Sequence, residues 1–437
     1  MKWIRFLVMA TAITLMAATP ARAINLLRDA DIEYALRQLS APILRAAGLS
    51  PSRIRVLVVD DSSLNAFVAD TQHILIHSGL ILKLNTAEEL QAVIAHEAAH
   101  IANGHLSRRV ANMRNARTAA GLGLVLSGIA AAAGGAEAGI GVAAGTSSSA
   151  LRNFLAHTRA EESAADQSSI RYLTSAGINP KGAVKVQEIF RGQEVLSENR
   201  QDPYMRTHPL SRDRLRALQG YVAAYGNNQK SDGTANYWYA RTQGKLSAFL
   251  RNPNWTLRRA DSSATQDIGF MRQAVAYHKQ SNLKKAVASI DKALQLRPND
   301  PFLLDLKGQI LLEGRQANAA IAVYRQAAAK APKEALILGG LGRALLATGQ
   351  PREALKALEN ARARDGQDAR ILRDLAVAYA QTKQPGLASV ATAERYALQG
   401  RLKDAAIHAK RAEALVPRGS PPWQRAQDIL AAAQAAR

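Results

Sequence analysis

Five consecutive residues hold the densest chemistry in the chain: His96-Glu97-Ala98-Ala99-His100. Two histidines four apart on a helix project their imidazoles from one face, one turn apart, and can share a single tetrahedral zinc. Glu97 lies beside that site without having to ligate. It can take a proton from zinc-activated water, whose pKa the metal lowers to about 7, and pass it to a leaving amine. The spacing predicts metal-assisted hydrolysis with Glu97 as base. The bland reading, two surface histidines on an ordinary helix, sits badly with Leu90, Val93, Ile94 and Ile101, which give the helix a buried face.

A catalytic zinc needs a third protein ligand and an open position. His105 is one option, but the extended metalloprotease pattern requires Gly and His three and six residues after the second His. Those places hold Asn103 and Leu106. A carboxylate from a later helix is the other option. Glu162 in Glu162-Ser163-Ala164-Ala165-Asp166 is well placed, and Asp166, one turn on and on the same face, could orient a ligand imidazole. Glu161 competes as the adjacent carboxylate. Cysteine is absent, so any metal must rest on His and carboxylate.

The elements that bring these residues together are partly readable. Leu26 to Ala47 has helical apolar spacing, Arg53 to Asp60 reads as a β-branched strand, and Ala66 to Val68 with His73 to His77 forms a second strand pair. The motif helix starts near Thr86, with Glu88 and Glu89 suiting its first turn. A further helix runs from Ala150 to roughly Ala176, and a polar break at Asn227 to Thr234 marks a boundary.

Ahead of the strands, Lys2 and Arg5, the apolar run Phe6 to Ala18, and Ala21-Arg22-Ala23 have the layout of a cleavable export signal. Export to the periplasm, as a soluble or membrane-peripheral protein, is expected. Thr118 to Gly145 is an Ala, Gly, Leu and Val stretch in which Glu137 is the only charge. One crossing would put His96 and His100 on the opposite side from Glu162, and two crossings need about 40 residues. The stretch has 28, so it is expected to be buried or to form a mobile hairpin over the site rather than to span. The rival, an inner-membrane protease, would need it to span.

Beyond Asp267 the chain repeats. Ala286, Ala320 and Ala354 fall 34 residues apart, as do Ala293, Ala327 and Ala361, Pro298 and Pro332, and Gly308 and Gly342. That period with small residues at helix contacts is the mark of tetratricopeptide hairpins. After Ala388 the register is lost, although Gly400 to Pro417 looks like one more second helix. The charge of +22 suits an acidic partner or an anionic surface. Lys and Arg are spread along the chain with no zinc finger, RNP motif or compact basic block, so nucleic acid is not expected.

Together, His96-Glu97-Ala98-Ala99-His100, Glu162-x-x-Ala165-Asp166, Thr207-His208-Pro209-Leu210 and the repeat tail resemble the BepA-type periplasmic zinc metallopeptidases, relatives of HtpX and the CAAX-processing proteases. The resemblance covers nearly the whole chain after the signal. It implies an α+β gluzincin-type metalloprotease domain, mostly helical with a small sheet, followed by an all-α tetratricopeptide domain. The expected divisions are 1–23 signal, 24–232 protease, 233–266 connecting helix and linker, and 267–437 repeats. It implies one Zn2+ held by His96, His100 and Glu162, with Glu97 as catalytic base.

By the same resemblance, His208 is a histidine able to sit on the metal as a fourth ligand in a closed state, and Arg214 lies near the substrate. Asn65-Ala66-Phe67 and the strand at His73 to Ile76 correspond to an edge where substrate adds as a strand, a mode that reads main chain. Misassembled outer-membrane proteins are the implied substrates, with chaperone activity and a partner on the repeats, such as outer-membrane assembly machinery. Ala98-Ala99, where relatives often carry a bulkier or hydroxyl residue, and the blurred last repeats are departures. The alternative is a repeat-based scaffold whose zinc site is plugged by His208.

Overall fold

The computed structural model describes residues 25–108, 158–197, 200–209, 211–225 and 232–436. The expected signal and the apolar stretch 118–145 lie outside the described residues. Strands β1 (Leu26–Leu27), β2 (Arg55–Val59), β3 (Ala66–Asp70) and β4 (His73–His77) form one sheet in the order β1-β2-β4-β3. β2 and β4 pair in parallel from Arg55↔His73 to Val59↔His77, while β3 runs antiparallel on β4, leaving its outer edge unpaired within the sheet. The central strands are apolar at nearly every position because both faces are covered.

Leu26 and Leu27, which the apolar spacing assigns to a helix, instead form β1 against Val59 and Val58. Asp29 then caps α1 (Ala30–Ala46) through Ile32 N. After α2 (Ser78–Lys83) comes the motif helix α3 (Ala87–Ala102), capped by Thr86, whose hydroxyl accepts from Glu89 N. This helix is buried from Glu89 through His100, so only small side chains fit at Ala95, Ala98 and Ala99. α4 (Arg159–Ser175), α5 (Lys181–Phe190), α6 (Pro203–Thr207) and α7 (Arg212–Tyr225) complete this part.

α8 (Gly233–Leu250) belongs to two cores. Ala235, Tyr239 and Leu246 pack with the sheet and α3, while Ala248 joins the first repeat helices. A short α9 (Pro253–Arg259) leads to ten further helices, α10 to α19, from Gln266 to Ala435. Ala286, Ala320 and Ala354 are buried, as are Ala293, Ala327 and Ala361. A Cβ on Gly342 would stand 2.4 Å from Leu358 Cγ, so the paired helices cross too closely there for a side chain.

Left-handed backbone recurs at Ser281, Arg315, Gly349 and Lys383, again 34 apart, with φ of 57°, 61°, 71° and 61°. The hairpin period thus runs through α16 (Ala369–Gln381) and α17 (Pro385–Leu398), where the alanine pattern had blurred. α18 (Leu402–Leu415) and α19 (Pro421–Ala435) close the array.

The repeats are seated on α1. Tyr34 meets Phe302 and Trp238 at ring distances of 4.7 and 5.1 Å. Arg241, fully buried, pairs with Asp31 at 2.8 Å and Asp300 at 2.5 Å, and Lys245 with Asp29 at 2.9 Å. Arg28 pairs with Asp365, which also takes Arg55 at 2.9 Å.

Candidate metal centre

α3 sets His96 and His100 one turn apart with their Nε2 atoms 3.1 Å from each other. The choice between Glu161 and Glu162 is made at the start of α4. Thr158 and Glu161 form a reciprocal capping box, Thr158 N donating to the Glu161 carboxylate at 3.0 Å and Glu161 N to Thr158 Oγ1 at 3.2 Å. Glu162, one residue on, points inward. Its Oε1 lies 3.3 Å from His100 Nε2 and its Oε2 3.4 Å from His96 Nε2.

His208, where α6 ends, closes the group with Nδ1 3.0 Å from Glu162 Oε1. One ligand atom from each of His96, His100, Glu162 and His208 lies within 4.8 Å of all the others, and all four residues are buried. Bonds of about 2.0–2.1 Å to a tetrahedral ion put neighbouring ligands about 3.3 Å apart. The nearest-atom distances of 3.0 to 3.4 Å match that edge, so the residues fit a small divalent cation.

The electrostatics point the same way. Burial presses the His96 imidazole toward neutrality, but Asp166 and Glu162 outweigh it and hold the ring at about 10 without a cation. Burial carries His100 well below the usual histidine value despite Glu162, and pushes the Glu97 carboxyl up against the pull of His208 and His96. Neither Glu97 oxygen has a hydrogen-bond partner, and Oε1 lies 3.5 Å from His208 Nε2. A buried carboxyl group without a hydrogen bond is costly, and such positions are where catalytic bases sit.

Support comes from behind the donors. Asp166 Oδ1 is 3.1 Å from His96 Nδ1. Arg214 on α7 grips Asp166 with Nε and Nη2 at 2.9 and 3.0 Å, reaches Glu162 Oε2 with Nη1 at 2.9 Å, and donates to Pro209 O at 2.7 Å. The Arg214 guanidinium thus lies against the two carboxylates and the Pro209 carbonyl.

Two partners escaped sequence reasoning. His105, set aside as a ligand, is buried with Nδ1 2.9 Å from His100 Nδ1, the ring nitrogen turned away from the cluster. Gly104, at φ 68°, makes the turn that folds it back. Tyr204 stacks on the His208 ring with centroids 4.6 Å apart. The pattern Thr158-Arg159-Ala160-Glu161 was a readable signal for the cap, whereas nothing local marks His105 or Tyr204. Asn65, Ala66 and Phe67 lie along the start of edge strand β3, and His208 Nε2 contacts Ala66 O at 3.3 Å.

Comparison with known proteins bears on this geometry. Residues 27–222 match peptidase family M48, and residues 270–300 and 311–373 match tetratricopeptide repeats. The Escherichia coli K12 beta-barrel assembly-enhancing protease is 25% identical over 306 residues, 68% of this chain and 61% of its own length. A Vibrio cholerae protein named for the same activity is 32% identical over 163 residues, 36% of this chain and 32% of that one. The metalloprotease LoiP of E. coli is 27% identical over 203 residues, 45% of this chain and 74% of its own. The chain thus spans less than two thirds of the beta-barrel assembly-enhancing relatives it matches. Among solved structures, MamA is 18% identical over 37% of this chain and 92% of its own, with a TM-score of 0.30.

Proposed function

We propose, for a chain that carries a peptidase family M48 domain followed by tetratricopeptide repeats, a zinc-dependent endopeptidase of the cell envelope. The observation that carries this reading is the buried donor set His96, His100 and Glu162 beside an unpartnered Glu97. Two imidazoles and one carboxylate suit zinc, which when bound supplies Lewis-acid polarisation of a peptide carbonyl and acidifies water. Glu97 takes the proton from the attacking water and returns it to the leaving nitrogen, a transfer assisted by the burial that raises its pKa. Asp166 holds His96 in the tautomer that presents Nε2, and Arg214 fixes Asp166 and Glu162.

Substrate joins the outer edge of β3, where main-chain pairing asks little of sequence. His208 occupies that edge at Ala66 O while leaning on Glu162, so it keeps the site closed until displaced. Relatives named for β-barrel assembly support misassembled outer-membrane proteins as substrates, with chaperone activity, and the repeats as the arm that binds them or the assembly machinery. Export by the N-terminal signal belongs to the same reading. A second reading, a plugged scaffold, is favoured by the His208 contacts alone.

Wild type and Glu97→Gln are compared for zinc content and cleavage of an unfolded protein. The variant keeps its zinc and loses activity by roughly 10²–10⁴-fold; equal cleavage by both sinks the assignment. His208→Ala raises activity if the histidine is a plug, and a His208→Ala protein that binds zinc but still cleaves nothing favours the scaffold.

A further inference from the structure

From Leu246 to Ala260, across the end of α8 and all of α9, the chain has no acidic residue. Arg251, Arg258 and Arg259 are exposed there, and none takes part in an ion pair among the described residues. The Trp255 indole lies between two of them, with the Arg251 and Arg259 guanidinium carbons 5.9 and 4.6 Å from its ring centre. Leu250, 39% exposed, stands next to it.

Behind this surface Arg272 is only 8% exposed and also has no carboxylate. Its Nη1 donates to Arg259 O at 2.9 Å and Ser263 Oγ at 2.7 Å, while Nε is buried without a partner. The nearby carboxylate of Asp261 accepts from Gln273 at 3.2 Å. A buried guanidinium normally has a carboxylate or phosphate beside it, because desolvating the charge is costly. Elsewhere in this protein that holds: Arg28, Arg214 and Arg241 each grip carboxylates. This corner alone among these sites holds a buried arginine and three surface ones that form no ion pair among the described residues.

We propose that the corner formed by Leu250, Arg251, Trp255, Arg258, Arg259 and Arg272 docks on anionic phospholipid head groups. Guanidinium groups match phosphate oxygens in pairs, and an indole flanked by cations is suited to the head-group layer, with its apolar body inward and its N–H toward water. A free phosphate would use the arginines but gain nothing from Leu250 and Trp255. No described helix is long and apolar enough to cross a membrane. The chain's +22 charge adds long-range attraction to the same sign of lipid. Docking at the joint between the metal-bearing part and the repeats would present both to the same membrane.

The full chain and its Arg251→Gln/Arg258→Gln/Arg259→Gln variant are sedimented with phosphatidylglycerol–phosphatidylcholine vesicles and with pure phosphatidylcholine. Comparing variant with parent isolates this corner from any other lipid-binding segment, and exposed positions leave the thermal melt unchanged. Wild type binds the anionic vesicles, high salt releases it, and the variant binds roughly a hundred-fold more weakly. Brominated lipid quenches tryptophan fluorescence in the parent, and Trp255→Phe removes most of that quenching. Equal binding by parent and variant, or equal binding to neutral and anionic vesicles, overturns the proposal. So does a parent that ignores vesicles while inorganic phosphate, or an acidic protein, binds in an Arg251-dependent way.

Discussion

Around the candidate metal centre, α3, α4, α7 and the end of α6 contribute charged and imidazole side chains, and every one of them is buried. In the repeat arm, α10 to α19 meet through alanines, glycines and leucines, where volume is what matters. The first region positions charge and must compensate it locally; the second mainly positions backbone and has to avoid collisions, with pairs such as Arg343–Asp374 and Arg362–Glu394 as local exceptions. Substitutions should therefore fall into separate classes, with function lost at one region without unfolding and stability lost at the other without touching the metal.

Glu162 and Glu161 test this most sharply. Glu162→Ala removes a donor, and the protein should retain no stoichiometric metal after dialysis, read by elemental analysis. Glu161→Ala should keep its metal and lose only about 1 kcal/mol of stability from the cap at Thr158. Equal metal content in both variants would break the comparison. Next in size is Arg214→Leu, which frees Asp166 and Glu162 together; metal affinity should fall about 10–100-fold. Because the guanidinium reaches no bare surface, KM for a peptide substrate should change far less than metal affinity.

The motif histidines were legible because a four-residue spacing maps onto one helix face whatever the fold around it. Glu162 was legible only as one of two neighbours: adjacent helix positions point about 100° apart, and the phase is set by where the helix starts. Thr158-x-x-Glu161 contained that start. His105 was not legible as a partner of His100, since its approach depends on the Gly104 turn. β1 was misread as helix because Leu26 and Leu27 gain their structure from Val58 and Val59, more than 30 residues away. In the arm, alanines carried the period as far as Ala388 and lost it at Arg395, where the second series called for another alanine, while the backbone turn at Lys383 kept it.

The seam between the regions mixes both kinds of packing, and its ion pairs answer to pH. Burial would raise Asp365, but Arg28 and Arg55 outweigh it; for Asp368, Arg370 and Arg28 do the same, so both carboxyls titrate below their ordinary range. A folded pKa below the unfolded one means the stabilisation is complete above about pH 4–5 and is lost as pH falls through the folded values. Melting temperature should therefore hold from pH 7 to about 5 and drop as pH falls below about 4. Asp365→Asn should cost about 3–5 kcal/mol of stability at pH 7, as for a broken buried pair, and flatten the acid limb. A variant with an unchanged acid slope would remove these pairs from the seam.

Within the arm, Gly342→Ala places a Cβ against Leu358 and should cost about 1–3 kcal/mol by overpacking, with metal content unchanged. The smallest effect carries the opposite sign. Arg315 and Lys383 hold the left-handed turn that Gly349 holds in the same place of another hairpin. For a residue with a Cβ that conformation costs about 1–2 kcal/mol, whereas glycine gives back about 0.5–1 kcal/mol through the greater freedom of its unfolded chain. Arg315→Gly should thus stabilise by up to about 1 kcal/mol, seen as a small rise in the denaturant midpoint. Neither arginine nor lysine there takes part in an ion pair among the described residues, so nothing offsets the gain. A fall in the midpoint would mean that the turn tolerates its side chains, and that the 34-residue rhythm is kept by helix packing alone.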